Sequence, residues 1–318
     1  MRLDNFDGKQ FFLKGHRVGG GPLDLLKWQF NGQRAVWPRW IENKTFEPPP
    51  HRVEGNTISY TWIGQATALV QVAGINILTD PFFSERASPF QWVGPRRARL
   101  PGLAIDRLPE IDVILVSHNH YDHMDLPALR RLSARFSSLV LTPLGNGTRI
   151  GKAGRSFHIR ELDWGDKAKL NGVSFTAMPA YHWSKRTMFD RNKALWSAFA
   201  IETAVGLVYF GADTGYGTGE IFRDVRRRFG PPRLAMLPIG AYEPRWFMKP
   251  QHMNPGEAVQ AHLDLESATT VAIHHETIQL TDEAIGTPRR DLSKAMGQYG
   301  VSPAQFICPE IGQSLSIS

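Results

Sequence analysis

From Ile58 onward, apolar positions alternate or run together in stretches too short for helices. Residues 57–80, TISYTWIGQATALVQVAGINILTD, alternate around a turn at Gly74, which predicts strands joined by hairpins. Residues 111–117, IDVILVS, form the short apolar run of a buried strand. Further strands are expected at 139–142, 157–161, 173–179, 197–203, 206–211, 234–239 and 270–274. Residues 125–136 predict a helix, with Asp125 as its cap and Pro127 in its first turn. Helices are also expected at 218–229, 255–263 and 290–299. Strands precede helices in both halves. That order fits a two-layer or four-layer α/β sandwich better than an alternating doubly wound sheet.

Residues 1–57 break this pattern. GGG at 19–21 and PPP at 48–50 punctuate aromatic residues interleaved with basic ones, including Lys27, Trp28, Arg34, Trp37, Arg39 and Trp40. Short helices and loops are expected there. Two readings stand side by side: an arm wrapping the core that starts at 58, or a surface facing lipid or a partner, since Trp beside Lys or Arg suits a membrane interface.

The 318 residues are 42% hydrophobic and 21% charged, ordinary globular usage that excludes extended disorder and fibrous classes. The formal charge of +7 favours anionic partners without choosing among them. Cys308 is the only cysteine, so no intrachain disulfide can form. The opening residues show no signal-peptide pattern, and no apolar run reaches the length of a membrane span. A cytoplasmic location or a peripheral membrane contact is therefore expected.

The chemistry concentrates in HNHYDH at 118–123, directly after the strand IDVILVS. His118 and His120 are two residues apart, so on extended backbone they point the same way and can grip one metal. Asp122 and His123 follow where the chain turns toward a helix and can aim at a second. His182, Asp213 and His274 each follow an apolar run, where an α/β core presents functional loops. Neutral imidazole with carboxylate suits zinc, with iron or manganese as substitutes. His275 is expected to face away from His274 if the strand continues.

HxHxDH followed by spaced His, Asp and His resembles the metallo-β-lactamase superfamily, which implies a four-layer αββα sandwich holding a dinuclear metal centre. TWIGQATALV, LTDPFFSERASP, VGPRR, ELDW, HWSKRT, GADTGY, RFGPP, PIGAYEPRWFMKPQHMNPGEAV and AIHHET resemble, more narrowly, the N-acyl-phosphatidylethanolamine-hydrolysing phospholipase D family over roughly residues 58–315. This implies an N-terminal extension at 1–57 and a hydrolase domain at 58–318. His118, His120 and His182 would hold the first metal, Asp122, His123 and His274 the second, and Asp213 would bridge them. Asp80, in LTDP, would orient a ligating imidazole from behind, or else cap the turn before Pro81. Gln251 and His252 match positions near the substrate phosphate. Gln65 stands where the family has a histidine.

The resemblance implies cleavage of a phospholipid on the head-group side, giving phosphatidate and an N-acylethanolamine. The expected nucleophile is a hydroxide shared by two Zn2+ ions, with Asp122 helping to orient it and His252 stabilising charge on the phosphate oxygens. Two alternatives stay open: a lactonase of the same superfamily, and a non-enzymatic anion-binding protein suggested by the charge and by Arg226, Arg227 and Arg228. That arginine run is expected to be a solvated helix face. No nucleic-acid motif accompanies it, so no nucleic-acid partner is expected. Homodimer formation is left open.

Overall fold

A computed structural model describes residues 5–16 and 21–317. The first sheet contains β1 (Ile58–Gly64), β2 (Thr67–Val72), β3 (Ile75–Thr79), β4 (Val113–Leu115), β5 (Leu139–Pro143) and β6 (His158–Leu162). The second contains β7 (Lys167–Leu170), β8 (Val173–Met178), β9 (Ala198–Thr203), β10 (Gly206–Phe210), β11 (Leu234–Pro238), β12 (Thr269–Ile273) and β13 (Phe306–Ile307). A last strand, β14 (Ser314–Ile317), returns to the first sheet beside β1. The strand orders are β14-β1-β2-β3-β4-β5-β6 and β13-β12-β11-β10-β9-β8-β7. In each sheet an antiparallel meander becomes parallel, at β3/β4 in one and β10/β11 in the other.

Period-two patterning decides the layers. Ile58, Tyr60 and Trp62 of β1, Val70 of β2 and Ile77 of β3 meet Phe199, Val208, Phe210, Met236 and Val271 from the second sheet in one central core. The intervening residues face outward. Ile63, Leu69, Leu78 and Ile114 pack with α2 (Leu126–Ser133) and α3 (Gly147–Ala153). Tyr209, Ala235, Leu237 and Ala272 pack with α4 (Glu220–Phe229), α6 (Pro255–Leu265) and α7 (Thr287–Tyr299). The result is a helix–sheet–sheet–helix sandwich. Strands covered on both faces need apolar residues at every position, which is why their sequences run rather than alternate.

The sequence left several elements unread. Among them are the exposed, charged β7, the two-residue β13 and the polar β14, whose patterns carry little hydrophobic signal. α3 and α5 (Arg245–Met248) are too short for periodicity to show. Asp125 does cap α2, accepting from Ala128 N at 3.2 Å. The same carboxylate also accepts from Phe83 N and Ser84 N, tying the 82–99 loop to this helix. The arginine run lies on α4, where Arg226 pairs with Glu266 at 2.6 Å, Arg227 with Asp224 at 2.6 Å and Arg228 with Asp224 at 3.5 Å. Its charge is largely answered by its own surroundings.

Ahead of β1, α1 (Pro22–Asn31) and the chain around it are tied to the core by hydrogen bonds. Trp28 Nε1 donates to Asp282 Oδ1 at 2.9 Å, Trp37 Nε1 to Glu283 O at 2.8 Å, and Phe11 N to Asn192 O at 2.7 Å.

Two packing constraints yield tests. A Cβ on Gly240 would sit 2.1 Å from His274 O, so only glycine lets the ends of β11 and β12 approach this closely. Gly240→Ala is expected to destabilise the protein by about 1–3 kcal/mol through overpacking, read from the shift of the urea midpoint at unchanged slope. A midpoint equal to wild type would show that these strand ends tolerate separation. Burial also pushes the Cys308 thiol up to about 12, despite nearby Arg289. At pH 8 its thiolate fraction should be on the order of a thousandfold below that of an exposed cysteine. Alkylation of this half-buried thiol should therefore be slow in the native protein and complete in urea; rapid native labelling would contradict the raised thiol.

Candidate metal centre

All the proposed donors leave the sheets at one edge. His118 follows β4, Asp80 follows β3 and Gln65 follows β1; in the other sheet His182 follows β8, Asp213 follows β10 and His274 follows β12. These strands run in the same direction within their sheets, so their C-terminal ends coincide. Turning the chain sharply there requires unusual backbone. Gln65, Asp80, Ala212, Ala241 and His274 all have positive φ, between 31° and 60°, without being glycine. Such residues cost energy and persist where the surrounding packing holds them.

Two donor groups share Asp213, and a third set, Asp80 with His118 and His123, lies behind them. His118, His120, His182 and Asp213 converge in one, and Asp122, His123, Asp213 and His274 in the other, with each group's ligand atoms within 4.8 Å of one another. Asp213 belongs to both. Apart from the half-buried His120, these residues are buried.

Hydrogen bonds behind the donors set their tautomers. Asp80 accepts from Ser117 N at 2.7 Å, Ser117 Oγ at 2.6 Å and His123 Nδ1 at 2.6 Å. Ser117 Oγ donates its one O–H to Asp80, so at 2.8 Å from His118 Nδ1 it accepts from that nitrogen. His182 Nδ1 donates to Gln251 O at 3.0 Å. His118 and His182 therefore each present an Nε2 lone pair inward, the form that ligates a metal, and His123, its Nδ1–H held by Asp80, would do so once a cation replaces its Nε2 proton. His118 Nε2 and His182 Nε2 lie 2.8 and 3.3 Å from His120 Nδ1. One N–H on His120 cannot satisfy both, whereas a cation among the three nitrogens can. In the second group, His123 Nε2 lies 3.3 Å from Asp122 and 3.1 Å from Asp213, and His274 Nε2 lies 3.2 Å from each. His123 Nε2 and Asp213 Oδ1 are buried without a hydrogen-bond partner. Orphaned lone pairs beside two buried carboxylates fit a divalent metal ion.

Proton affinities agree. Counting only the protein's own charges, burial and the neighbouring imidazoles hold His118 and His120 well below the usual histidine range, and burial takes His182 down to about 4. Burial also depresses His123, but Asp213, Asp122 and Asp80 outweigh it and raise this imidazole well above its usual range. Burial raises Asp122 and Asp213, yet His123 and His274 prevail and hold both well below the usual carboxylate range. The second group thus demands positive charge and the first offers neutral ligands.

The remaining residues singled out from sequence also gather here. Asp80 lies behind His118 and His123; its carboxylate caps no turn. Gln65 Nε2 donates to Asp122 Oδ2 at 2.9 Å, so it orients that carboxylate. Gln251 contributes its backbone carbonyl to His182, while its side-chain amide nitrogen reaches Met248 Sδ at 3.5 Å. His252 packs against the rings of His182 and His274 at 5.1 and 5.7 Å, and burial takes it down to about 3. It is neutral at physiological pH and can offer a hydrogen bond, not a positive charge. His275 turns away as expected, stacking on Trp62 at 4.5 Å, although β12 has already ended. Ser117 went unread: it lies next to His118, but nothing in a lone serine announces that it hydrogen-bonds Asp80 and His118 together.

The donors face a cavity of about 790 Å³. His120, Asp122, Asp213 and His252 form part of its lining, and Leu25, Trp28, Trp183, Met188 and Phe247 give it apolar walls. Lys185, Arg186 and Arg191 also line it, beside the donor cluster.

Comparison with known proteins agrees with this architecture. Residues 75–275 match the beta-lactamase superfamily domain. The chain is 37% identical over 265 residues to N-acyl-phosphatidylethanolamine-hydrolyzing phospholipase D 1 of Caenorhabditis elegans, covering 80% of this chain and 74% of the worm protein. It is 35% identical to the mitochondrial enzyme of the same designation from Saccharomyces cerevisiae, covering 80% of this chain and 55% of the yeast protein. A solved metallo hydrolase from Ignicoccus hospitalis shares the fold, with a TM-score of 0.61 at 19% identity, over 82% of this chain and 99% of the other. With a donor cluster at the shared sheet edge and these matches, the chain belongs to the beta-lactamase superfamily, as a metal-dependent hydrolase of the N-acyl-phosphatidylethanolamine-hydrolysing phospholipase D family.

Proposed function

We propose that this protein is a dinuclear, zinc-dependent phosphodiesterase that cleaves N-acyl-phosphatidylethanolamine to phosphatidate and an N-acylethanolamine. The observation that carries the reading is Asp213, one carboxylate shared by two donor groups on the wall of an apolar and cationic cavity. The relatives' designations supply the substrate class. Residues 58–318 form the hydrolase domain in this reading, and residues 1–57 an extension upon it.

His118, His120 and His182 would hold one ion and Asp122, His123 and His274 the other, with Asp213 between them. Bound divalent ions would supply Lewis acidity and acidify water into a nucleophile near neutral pH. The protein's own residues do the rest. Asp80, Ser117 and Gln251 keep the imidazole protons outward and the lone pairs inward. Gln65 holds Asp122 in place. Neutral His252 is positioned to hydrogen-bond a phosphate oxygen. Lys185 and Arg191 supply positive charge where an anionic diester would enter.

A diacyl substrate also implies contact with a lipid surface. Trp28 and Trp37 are anchored by their indole nitrogens, so they brace the fold. Exposed apolar residues near the cavity lie on α1, where Leu25 lines it, and on two loops that also line it through Met188 and Pro89, where Phe189 is 82% exposed and Trp92 78%. Aromatic tips beside cationic side chains suit a membrane interface. No helix among the described residues is long and apolar enough to cross a membrane, which leaves such peripheral contact as the route to lipid.

Elemental analysis of the purified protein is expected to approach two transition-metal ions per chain, predominantly zinc, with mass spectrometry showing phosphatidate and N-acylethanolamine as products. An active preparation holding one ion or none would exclude the dinuclear centre. Turnover of a lactone but no phosphodiester would select the lactonase alternative.

Asp213→Asn should keep the fold by circular dichroism yet lose bound metal and most activity, because an amide removes charge from both groups at once. Near-native turnover with full metal would take Asp213 out of the centre.

Phe189→Ser and Trp92→Ser should weaken liposome binding and bilayer turnover while leaving hydrolysis of a small soluble phosphodiester near wild type. Equal losses on both substrates would mean that these residues support the fold instead of the interface.

A further inference from the structure

Resting on the metal-centre reading above, we infer that Arg186 is a positioning residue whose guanidinium clamps the Asn119–Met124 turn and thereby fixes the geometry of both donor groups. That turn carries His120 into one group and Asp122 and His123 into the other. Its internal backbone bonds are few: His123 N and Met124 N both donate to His120 O, at 3.2 and 2.9 Å. The ends of the turn are joined from outside. Arg186 Nη1 donates to Asn119 O at 3.1 Å and to Met124 O at 2.7 Å. The guanidinium also lies 4.1 Å from the centre of the Tyr121 ring, and Tyr121 Oη donates back to Arg186 O at 2.9 Å. Arg186 thus touches positions 119, 121 and 124, between the donors and never through them.

The clamp is itself fixed. Asp190 accepts from Arg186 N at 2.9 Å and Thr187 N at 2.7 Å, and Arg149 Nη2 reaches the same carboxylate at 2.8 Å. Ser184 N and Asn192 N close the segment at its base, through Asn192 Oδ1 at 3.2 Å and Ser184 O at 2.7 Å. The clamp therefore couples the 184–192 segment, which walls the cavity, to the turn that carries the donors. A planar cation suits this position, because its N–H groups answer two carbonyls while its face rests on the tyrosine. Removing it would leave those carbonyls without this donor and let the turn splay. Partners standing behind metal ligands are typically worth 10–100-fold in metal affinity.

The test uses the full chain, wild type and carrying Arg186→Ala or Arg186→Lys, with Zn2+ and Co2+ as probes. Chelator competition should show Arg186→Ala holding Zn2+ about 10–100-fold more weakly, with an altered Co2+ absorption spectrum. Methylguanidinium should restore both in part. Arg186→Lys should fall between, since it keeps the charge and loses the planar stack. Amide hydrogen exchange in the metal-free protein should quicken at 119–124 and stay unchanged in the central strands. Wild-type metal affinity and exchange in a folded Arg186→Ala protein would overturn the inference. So would a rise in KM with metal affinity intact, which would make Arg186 a substrate contact. A wild-type chain that takes up no ion would sink the metal reading instead, and unchanged exchange in the variant would then sink the clamp separately.

Discussion

Everything at the donor edge depends on one fully buried carboxylate that lies behind the donors. Asp80 accepts three hydrogen bonds, and two of them decide which nitrogen of a histidine carries a proton. Through Ser117 it sets His118 in the first donor group; directly it sets His123 in the second. A buried charge is costly unless it is paired and hydrogen-bonded, so the surrounding structure must hold Asp80 where these bonds can form. Asp80 N donates to Leu115 O at 2.8 Å, and Thr67 Oγ1 donates to Asp80 O at 2.6 Å. Backbone from β4 and a side chain from β2 thus hold a residue whose own φ, 31°, is unfavourable.

The same logic extends along the edge. Five non-glycine residues with left-handed φ, each just beyond a strand, could not persist on a soft scaffold. The scaffold is stiff because its inner strands are covered on both faces, by the opposite sheet and by helices. The close approach of Gly240 to His274 O is one more piece of this tension. Strain concentrated at the edge is thereby offset by burial distributed through the interior.

This division explains what could be read from the chain. Strands such as IDVILVS are legible because two-sided burial forces an apolar run, and the donors are legible because imidazole and carboxylate recur just after such runs. Short or polar elements such as β7 and β14 are not, since their pairing comes from neighbours distant in sequence. The donors' identities could be taken from HNHYDH and its followers, but their tautomers could not. Ser117 matters through the bonds it completes, and Gln251 through its backbone carbonyl, which any residue at that position possesses. Composition also could not show that Trp28 and Trp37 are held by hydrogen bonds to Asp282 and Glu283, while Trp40 stays exposed.

The cavity draws its walls from two different parts of the fold. Its donor wall is built from strand ends, and an archaeal hydrolase at 19% identity retains that sandwich. The other walls come from outside the sheets: Leu25 and Trp28 of α1, the segment bearing Lys185, Arg186, Met188 and Arg191, and Phe247 of α5. These parts need only be anchored, by half-buried carboxylates such as Asp190 and Asp282 and by the buried helix cap Asp125. Wall residues can therefore vary without disturbing the donors, provided the anchors remain. Arg186 is the exception, because it lines the cavity and grips the donor turn together. At that one residue a cavity wall and the donor turn are joined, so a substitution there reaches both.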